Sequence, residues 1–497
     1  MTGLAGCYQT RWHLCESSWS RKTLLRSKGD GVMLQLTTGR PVTHCDRVPR
    51  RELLRAGAVG FGGMTLPGLL RLQAAGVNPT RRIDSVILLY LSGGPSQLDM
   101  WDMKPHAPEE IRGTFQEVPT NVPGIRISEH MPRMATLADQ YTIVRSMSHN
   151  EGDHIRGGYW VMTGGRLTRP IVQASGMKRE DRPHIGSALD YLMGASGSLP
   201  SFAVVPEFTS PVGVPRPGQY AGFLGPGYDP YLIDSDPNLA GYDPGPLRAT
   251  ESLRGIRLSG RQSLLQQIDR RLRVAESASV DSLDAYKQRA FDMISSPRAQ
   301  RAFDIAAEPT RTRDRYGRHV FGQSALVARR LVEAGVRLVQ VNFIRHDNGK
   351  GGQGYDSHSV PPSPPHLEWA KKELLPPTDA AFAALVEDLA ERDMLERTLV
   401  VLMGEFGRTP RINKNGGRDH WPQCYSLVLA GGGVGGGRTY GASDKLAAYP
   451  TSDPLSPDDL LATMYSLLGV DPHSEIKDPQ GRPHRLTEGQ PRWALLG

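Results

Sequence analysis

The residues able to do chemistry fall into three groups. His149, Glu151, Asp153 and His154 stand within six positions, Asp356 and His358 are two apart, and Glu405 precedes Asp419-His420 by about fifteen residues. Imidazole and carboxylate are the usual ligands of protein-bound divalent metals. In an extended Asp-x-His both side chains face one way and can share a cation. Between Glu405 and His420 lie Arg408, Arg411 and Lys414, cations suited to an anionic group. The glycine turn at Ser92-Gly93-Gly94-Pro95 adds Ser96 and Asp99 as candidates for nucleophile or ligand, because backbone N–H groups can approach an anion closely there. Metal plus anion is one reading of this pattern. N-capping acids and a solvated basic loop are the other.

The elements that would position these residues are legible as apolar runs. Residues 85–91, 141–145, 336–343, 399–403 and 425–430 read as strands, several of them continuous enough to be buried on both faces. Helical patterns follow at 323–334, 380–392 and 457–468. Another helix begins near His154, runs through Tyr159 and Trp160, and stops at Gly164-Gly165. Helix N-termini favour anions, which makes His149, His154 and the nearby Arg156 candidates for binding a substrate anion or metal. In open α/β sheets ligands sit beyond the carboxyl ends of the strands, and each group above follows a predicted strand. Residues 196–250, rich in Pro, Gly, Tyr and Asp, read as an irregular excursion walling a pocket. Residues 253–273 and 281–294 read as surface helices, so an insertion is expected over about 196–320 within one domain spanning 80–497.

The chain has 497 residues, 55 of them Gly and 39 Pro, so many loops surround a modest core. Of the formal charge of +7, much lies in the first 82 residues, and no basic run with interleaved aromatics follows, which argues against a nucleic-acid partner. The four cysteines, Cys7, Cys15, Cys45 and Cys424, form no Cys-x-x-Cys pair and indicate neither a thiolate zinc site nor a disulfide framework. Arg50 and Arg51 precede a charge-free stretch that runs from Ala56 to Leu70 and is followed by Ala74-Ala75-Gly76. That is too short and glycine-rich to span a bilayer, but it suits the apolar region of a twin-arginine (Tat) export signal. The expected signal covers 33–76 from an initiator at Met33, with 1–32 a spurious extension. The protein is then periplasmic or secreted, a partner of the Tat machinery, with a membrane tether if the signal is kept.

Four segments occur in order after that signal: Leu91-Ser-Gly-Gly-Pro-Ser-Gln-Leu-Asp-Met-Trp-Asp, Tyr355-Asp-Ser-His, Gly404-Glu-Phe-Gly-Arg-Thr-Pro and Gly417-Arg-Asp-His-Trp-Pro. Together they resemble the DUF1501 family of exported bacterial proteins, abundant in planctomycetes and placed in the alkaline phosphatase/sulfatase superfamily. The likeness covers nearly the whole chain from Arg50. It implies an alkaline phosphatase-like fold, a three-layer α/β/α sandwich with a mostly parallel central sheet and long loop and helical insertions. It implies Asp356, His358, Glu405 and His420 as ligands of a divalent metal (zinc, calcium or magnesium), with Phe406 where a further His is expected. Counting back from Thr163 places His154 at the position of a sulfatase nucleophile. His154 would then attack through a phosphohistidine-like intermediate or act as general base on water. Ser96 is the other group expected near the chemistry. Arg408 or Arg156 would clamp the anion, with His149 and Arg411 also binding substrate. The expected function is metal-dependent hydrolysis of phosphate or sulfate esters, on small molecules or polysaccharides. The alternative is a non-catalytic protein that binds sulfated or phosphorylated polysaccharide, favoured by the lack of a Ser, Thr or Cys nucleophile. A third is an exported scaffold.

Overall fold

Strand β1 (Ser85–Tyr90) is buried along its whole length and lies inside an eight-stranded sheet. The computed structural model describes residues 24–27, 32–35, 82–171, 176–194, 197–210, 214–245, 293, 295–347, 350–359 and 366–497. The other sheet strands are β2 (Tyr141–Met147), β3 (Phe202–Val205), β4 (Tyr231–Leu232), β5 (Leu338–Asn342), β6 (Thr398–Met403), β7 (Tyr425–Ala430) and β8 (Arg438–Tyr440). Their order is β8-β2-β7-β6-β1-β5-β3-β4. Only β7 is reversed, pairing antiparallel with β6 and β2, while every other pairing is parallel.

Register then aligns the strand ends. Tyr90 lies opposite both Met403 and Asn342, so β1, β5 and β6 finish level. Tyr425, the first residue of the reversed β7, lies opposite Met147, the last of β2. Loops leaving β1, β2, β5 and β6 and the loop entering β7 therefore meet at one edge.

Alternate side chains of each strand pack against two helical layers, as the period-2 pleat requires. Ile87, Leu89, Val339, Val341, Val400 and Leu402 face α3 (Val320–Glu333) and α4 (Leu375–Glu391). Val86, Leu88, Tyr90, Val401 and Met403 face α1 (His154–Thr163), α2 (Ile185–Met193) and α5 (Pro457–Leu467). This is the three-layer α/β/α sandwich with a mostly parallel sheet that was expected.

Two boundaries differ from expectation. Phe202–Val205 belongs to the sheet rather than to an insertion, its four buried residues being too few to show a period among prolines and glycines. Helix α4 starts at Leu375 rather than 380 and continues directly from a helical turn at His366–Trp369 and a π-helical turn at Ala370–Leu374, so Pro376 and Pro377 fall within a longer helical run. Met1–Pro67 form a separate compact unit in which Leu24–Ser27 pairs antiparallel with Val32–Gln35, where the sequence offered no element. Arg50, Arg51 and the apolar stretch after them lie outside the described residues, as do 253–273 and nearly all of 281–294. Among the described residues, no helix is long and apolar enough to cross a membrane.

Candidate metal centre

At the shared strand edge, His154, Asp356, His358 and His420 offer one ligand atom each, all within 4.8 Å of one another. Three separate pieces of chain deliver them. His154 is the first residue of α1, whose N-cap Asp153 accepts hydrogen bonds from the Ile155 and Arg156 amides. Asp356 and His358 follow the hairpin after β5. His420 lies on a two-residue ribbon, paired with Arg408 ahead of β7.

Each imidazole is oriented from behind. His154 Nδ1 lies 2.6 Å from Glu405 Oε1, His358 Nδ1 2.8 Å from Asp419 Oδ1, and His420 Nδ1 2.7 Å from the Gly152 carbonyl. Two carboxylates and a carbonyl only accept, so all three Nδ1 atoms carry the proton and donate. All three rings turn Nε2 toward Asp356, and the contacts with Asp356 and Asp419 push the His358 pKa up. Nε2 of His358 lies 3.1 Å from Asp356 Oδ1, that of His420 3.4 Å from the same oxygen, and that of His154 3.2 Å from Oδ2.

Nε2 of His358 and Nε2 of His420 are 2.9 Å apart. His154 Nε2 is buried and has no hydrogen-bond partner among the described residues. Two nitrogens bound tetrahedrally to one zinc ion sit about 3.3 Å apart, close to the observed spacing. Three imidazoles and one carboxylate form a donor set for zinc or a similar transition metal, whereas calcium and magnesium take oxygen ligands. The residues present fit a zinc-like ion, and each imidazole already has the acceptor that ligating histidines usually have behind them.

The remaining candidates take other roles. Glu405, expected as a ligand, is fully buried behind His154. Its carboxylate accepts from the Gly93 amide at 3.0 and 3.1 Å and from the Tyr90 hydroxyl at 3.0 Å. The anion met by the glycine turn is thus the protein's own. Burial opposes ionisation of Glu405, but the His154 contact and the nearby Arg216 outweigh it and hold the carboxyl down at about 2. Burial likewise opposes the charge on Asp356, and the three imidazoles hold its pKa far below the carboxylate range.

Arg408, expected to clamp an anion, is fully buried and already engaged. It donates to the carbonyls of Gly93, Gly94, Tyr355 and Arg418, and at 2.9 Å to Asp356 Oδ1. His149 is pushed down to about 4 by burial. Its Nδ1 accepts from the Glu151 amide and its Nε2 donates to the Glu405 carbonyl, so it props that loop instead of facing the cluster. Arg411 is largely exposed, 3.7 Å from Glu110. Arg156 is half-buried, and no described hydrogen bond or ion pair links its side chain to the cluster. Ser96 Oγ is buried without a partner among the described residues, and no described contact joins it to the four ligating groups. Asp99 is held by Arg418 at 2.9 and 3.0 Å and by His366 at 2.8 Å. Phe406 packs its ring against those of His154 and His420, with centroids at 4.9 and 4.4 Å.

One residue at the site was not read from the sequence. Arg216 is buried, with Nη1 3.6 Å from Glu405 Oε1. It is the one charged residue from Phe208 to Ala221, a signal available in the sequence but diluted by the surrounding prolines and glycines.

Fold and site together define an α/β/α protein with a histidine-rich constellation, able to hold a metal ion, at the carboxyl edge of its sheet. A family model described as "protein of unknown function (DUF1501)" matches residues 83–494. The chain belongs to that family. Among curated proteins, none matches the sequence. Similar solved structures include the PsFucS1 sulfatase from Pseudoalteromonas sp., at 14% identity over 85% of this chain and 72% of that one, with a TM-score of 0.34. The phosphonate monoester hydrolase SpPMH from Silicibacter pomeroyi shows 11% identity over 84% and 76%, TM-score 0.36. A protein in the alkaline phosphatase superfamily from Vibrio parahaemolyticus shows 11% identity over 84% and 74%, TM-score 0.34.

Proposed function

We propose that this protein is an exported, metal-dependent hydrolase of phosphate or sulfate esters, centred on His154, Asp356, His358 and His420. The observation that carries the reading is the convergence of three Nε2 atoms on one carboxylate, all within 4.8 Å of one another, with every Nδ1 already bonded from behind. A divalent ion there would supply Lewis-acid polarisation of an ester oxygen. Within the chain, Glu405 and Asp419 hold His154 and His358 in their tautomers, and Arg408 fixes Asp356. As a ligand, His154 would have no free lone pair, so the phosphohistidine route is set aside in favour of water as nucleophile. The cluster is partly open, with the His358 and Asp356 side chains 30% and 29% exposed, so an ester can approach. Export rests on the twin-arginine segment of the sequence.

A second reading keeps the metal and drops the turnover. Four protein donors complete a tetrahedral shell, the hallmark of closed rather than catalytic zinc sites. That count favours a protein that binds sulfated or phosphorylated polysaccharide. Metal analysis of protein purified without chelator, with His420→Ala as control, tests both. We expect close to one zinc-like ion per chain in the parent and less than a tenth in the variant. Less than a tenth in the parent sinks both metal readings. Bound metal without turnover of aryl phosphates or sulfates selects the binding protein.

A further inference from the structure

We propose that Arg216 holds a tetrahedral oxyanion, the phosphate or sulfate group of an ester or its product, beside the histidine cluster. The inference deepens the hydrolase reading and rests on it for the identity of the site, but it is argued from different atoms. Arg216 is 5% exposed, and neither its Nε nor its Nη1 has a hydrogen-bond partner among the described residues. A guanidinium stays charged and carries five N–H donors. Burying it with donors unmet is costly unless a partner arrives. Glu405 does not fill that need. Its nearest oxygen is 3.6 Å away, and its accepting capacity is taken by Gly93, Tyr90 and His154. Arg216 and His154 thus meet at one carboxylate from two sides.

The loop that presents Arg216 is built, not incidental. Buried Gln219 staples it: its Oε1 accepts from the Thr209 amide and hydroxyl at 2.8 and 3.0 Å, and its Nε2 donates to the carbonyls of Thr209 and Arg216, each at 3.1 Å. The Arg216 amide donates to the Thr209 carbonyl, and the rings of Phe208 and Tyr220 stack at 4.5 Å across the base. Gly218 lets the loop lie on α1, since a Cβ there would sit 3.1 Å from Tyr159 Cα. One helix therefore sets the places of both His154 and Arg216.

The test compares the full-length parent with Arg216→Met and Arg216→Lys, measuring metal content, thermal midpoint and calorimetric affinity for inorganic phosphate and inorganic sulfate. Arg216→Met is expected to keep the parent's metal and to melt no lower, because two buried donors without hydrogen-bond partners have gone and Glu405 keeps Gly93, Tyr90 and His154. Its affinity for the preferred anion should fall at least tenfold, with Arg216→Lys in between. Whichever anion the parent prefers identifies the ester. The assignment is overturned if the parent binds neither anion, if Arg216→Met binds within twofold of the parent, or if Arg216→Met melts lower and loses its metal. A metal-free parent overturns the hydrolase reading instead, while Arg216-dependent anion binding in that protein still supports the assignment.

Discussion

At the scale of single residues, the centre is defined less by which atoms converge than by which protons cannot. Asp419 accepts from His358 Nδ1, and without it that ring is free to turn or change tautomer. Asp419→Ala should weaken metal binding 10–100-fold, read by competition with a chromophoric chelator, and should leave the fold intact because the carboxylate is largely exposed. Unchanged affinity would remove Asp419 from this role. The types and spacing of Asp356, His358 and His420 already pointed to a cation in the sequence. Glu405 was misread because ligand and supporting acid differ by one hydrogen bond's length, and nothing in a strand-end Gly-Glu distinguishes them. Arg408 looked like a free cation because its five acceptors come from three segments, two of them more than fifty residues away.

Element scale decides where those residues can stand. Gly93 turns β1 over the Asp356 loop with φ +108°, and a Cβ there would lie 2.3 Å from the Asp356 amide nitrogen. Gly93→Ala must either push the Asp356 loop outward or distort the turn. We expect a loss on the order of 1–3 kcal/mol in urea unfolding together with reduced metal occupancy. Full occupancy with parental stability would contradict the tight fit described here. The long strands and helices were legible because each runs for several apolar residues at one period. Strand β3 and the Arg216 loop were not, because four residues among turns carry no period and the loop's staple is a side chain, Gln219, bonded ten positions back. The reversed direction of β7 was equally invisible, although it is what brings His420 to the same edge as residues that follow parallel strands.

For the molecule as a whole, buried neutral histidines set the response to acid. Burial pushes His149 and His319 down to about 4 and His184 to about 3. In the unfolded chain these rings titrate near 6.5, so between that value and about 4 the unfolded state binds more protons. Their contribution to stability is complete above about pH 6.5 and is lost as pH falls toward 4, on the order of 2–3 kcal/mol for each. Urea midpoints at pH 7.5 and 4.5 should differ accordingly. His184→Asn, which can still cap α2 where His184 accepts from the Gly186 amide, should shrink the difference. A midpoint flat across that range would show that these rings are not held neutral. The sheet order also sets a timetable for synthesis. The first strand made, β1, has as its neighbours β5 and β6, which emerge only about 250 to 310 residues later. At roughly 5–20 residues per second, a run of Val, Ile, Leu and Tyr waits some ten seconds to a minute without its edge partners. The site, drawn from residues 154 to 420, can close only after His420 has emerged.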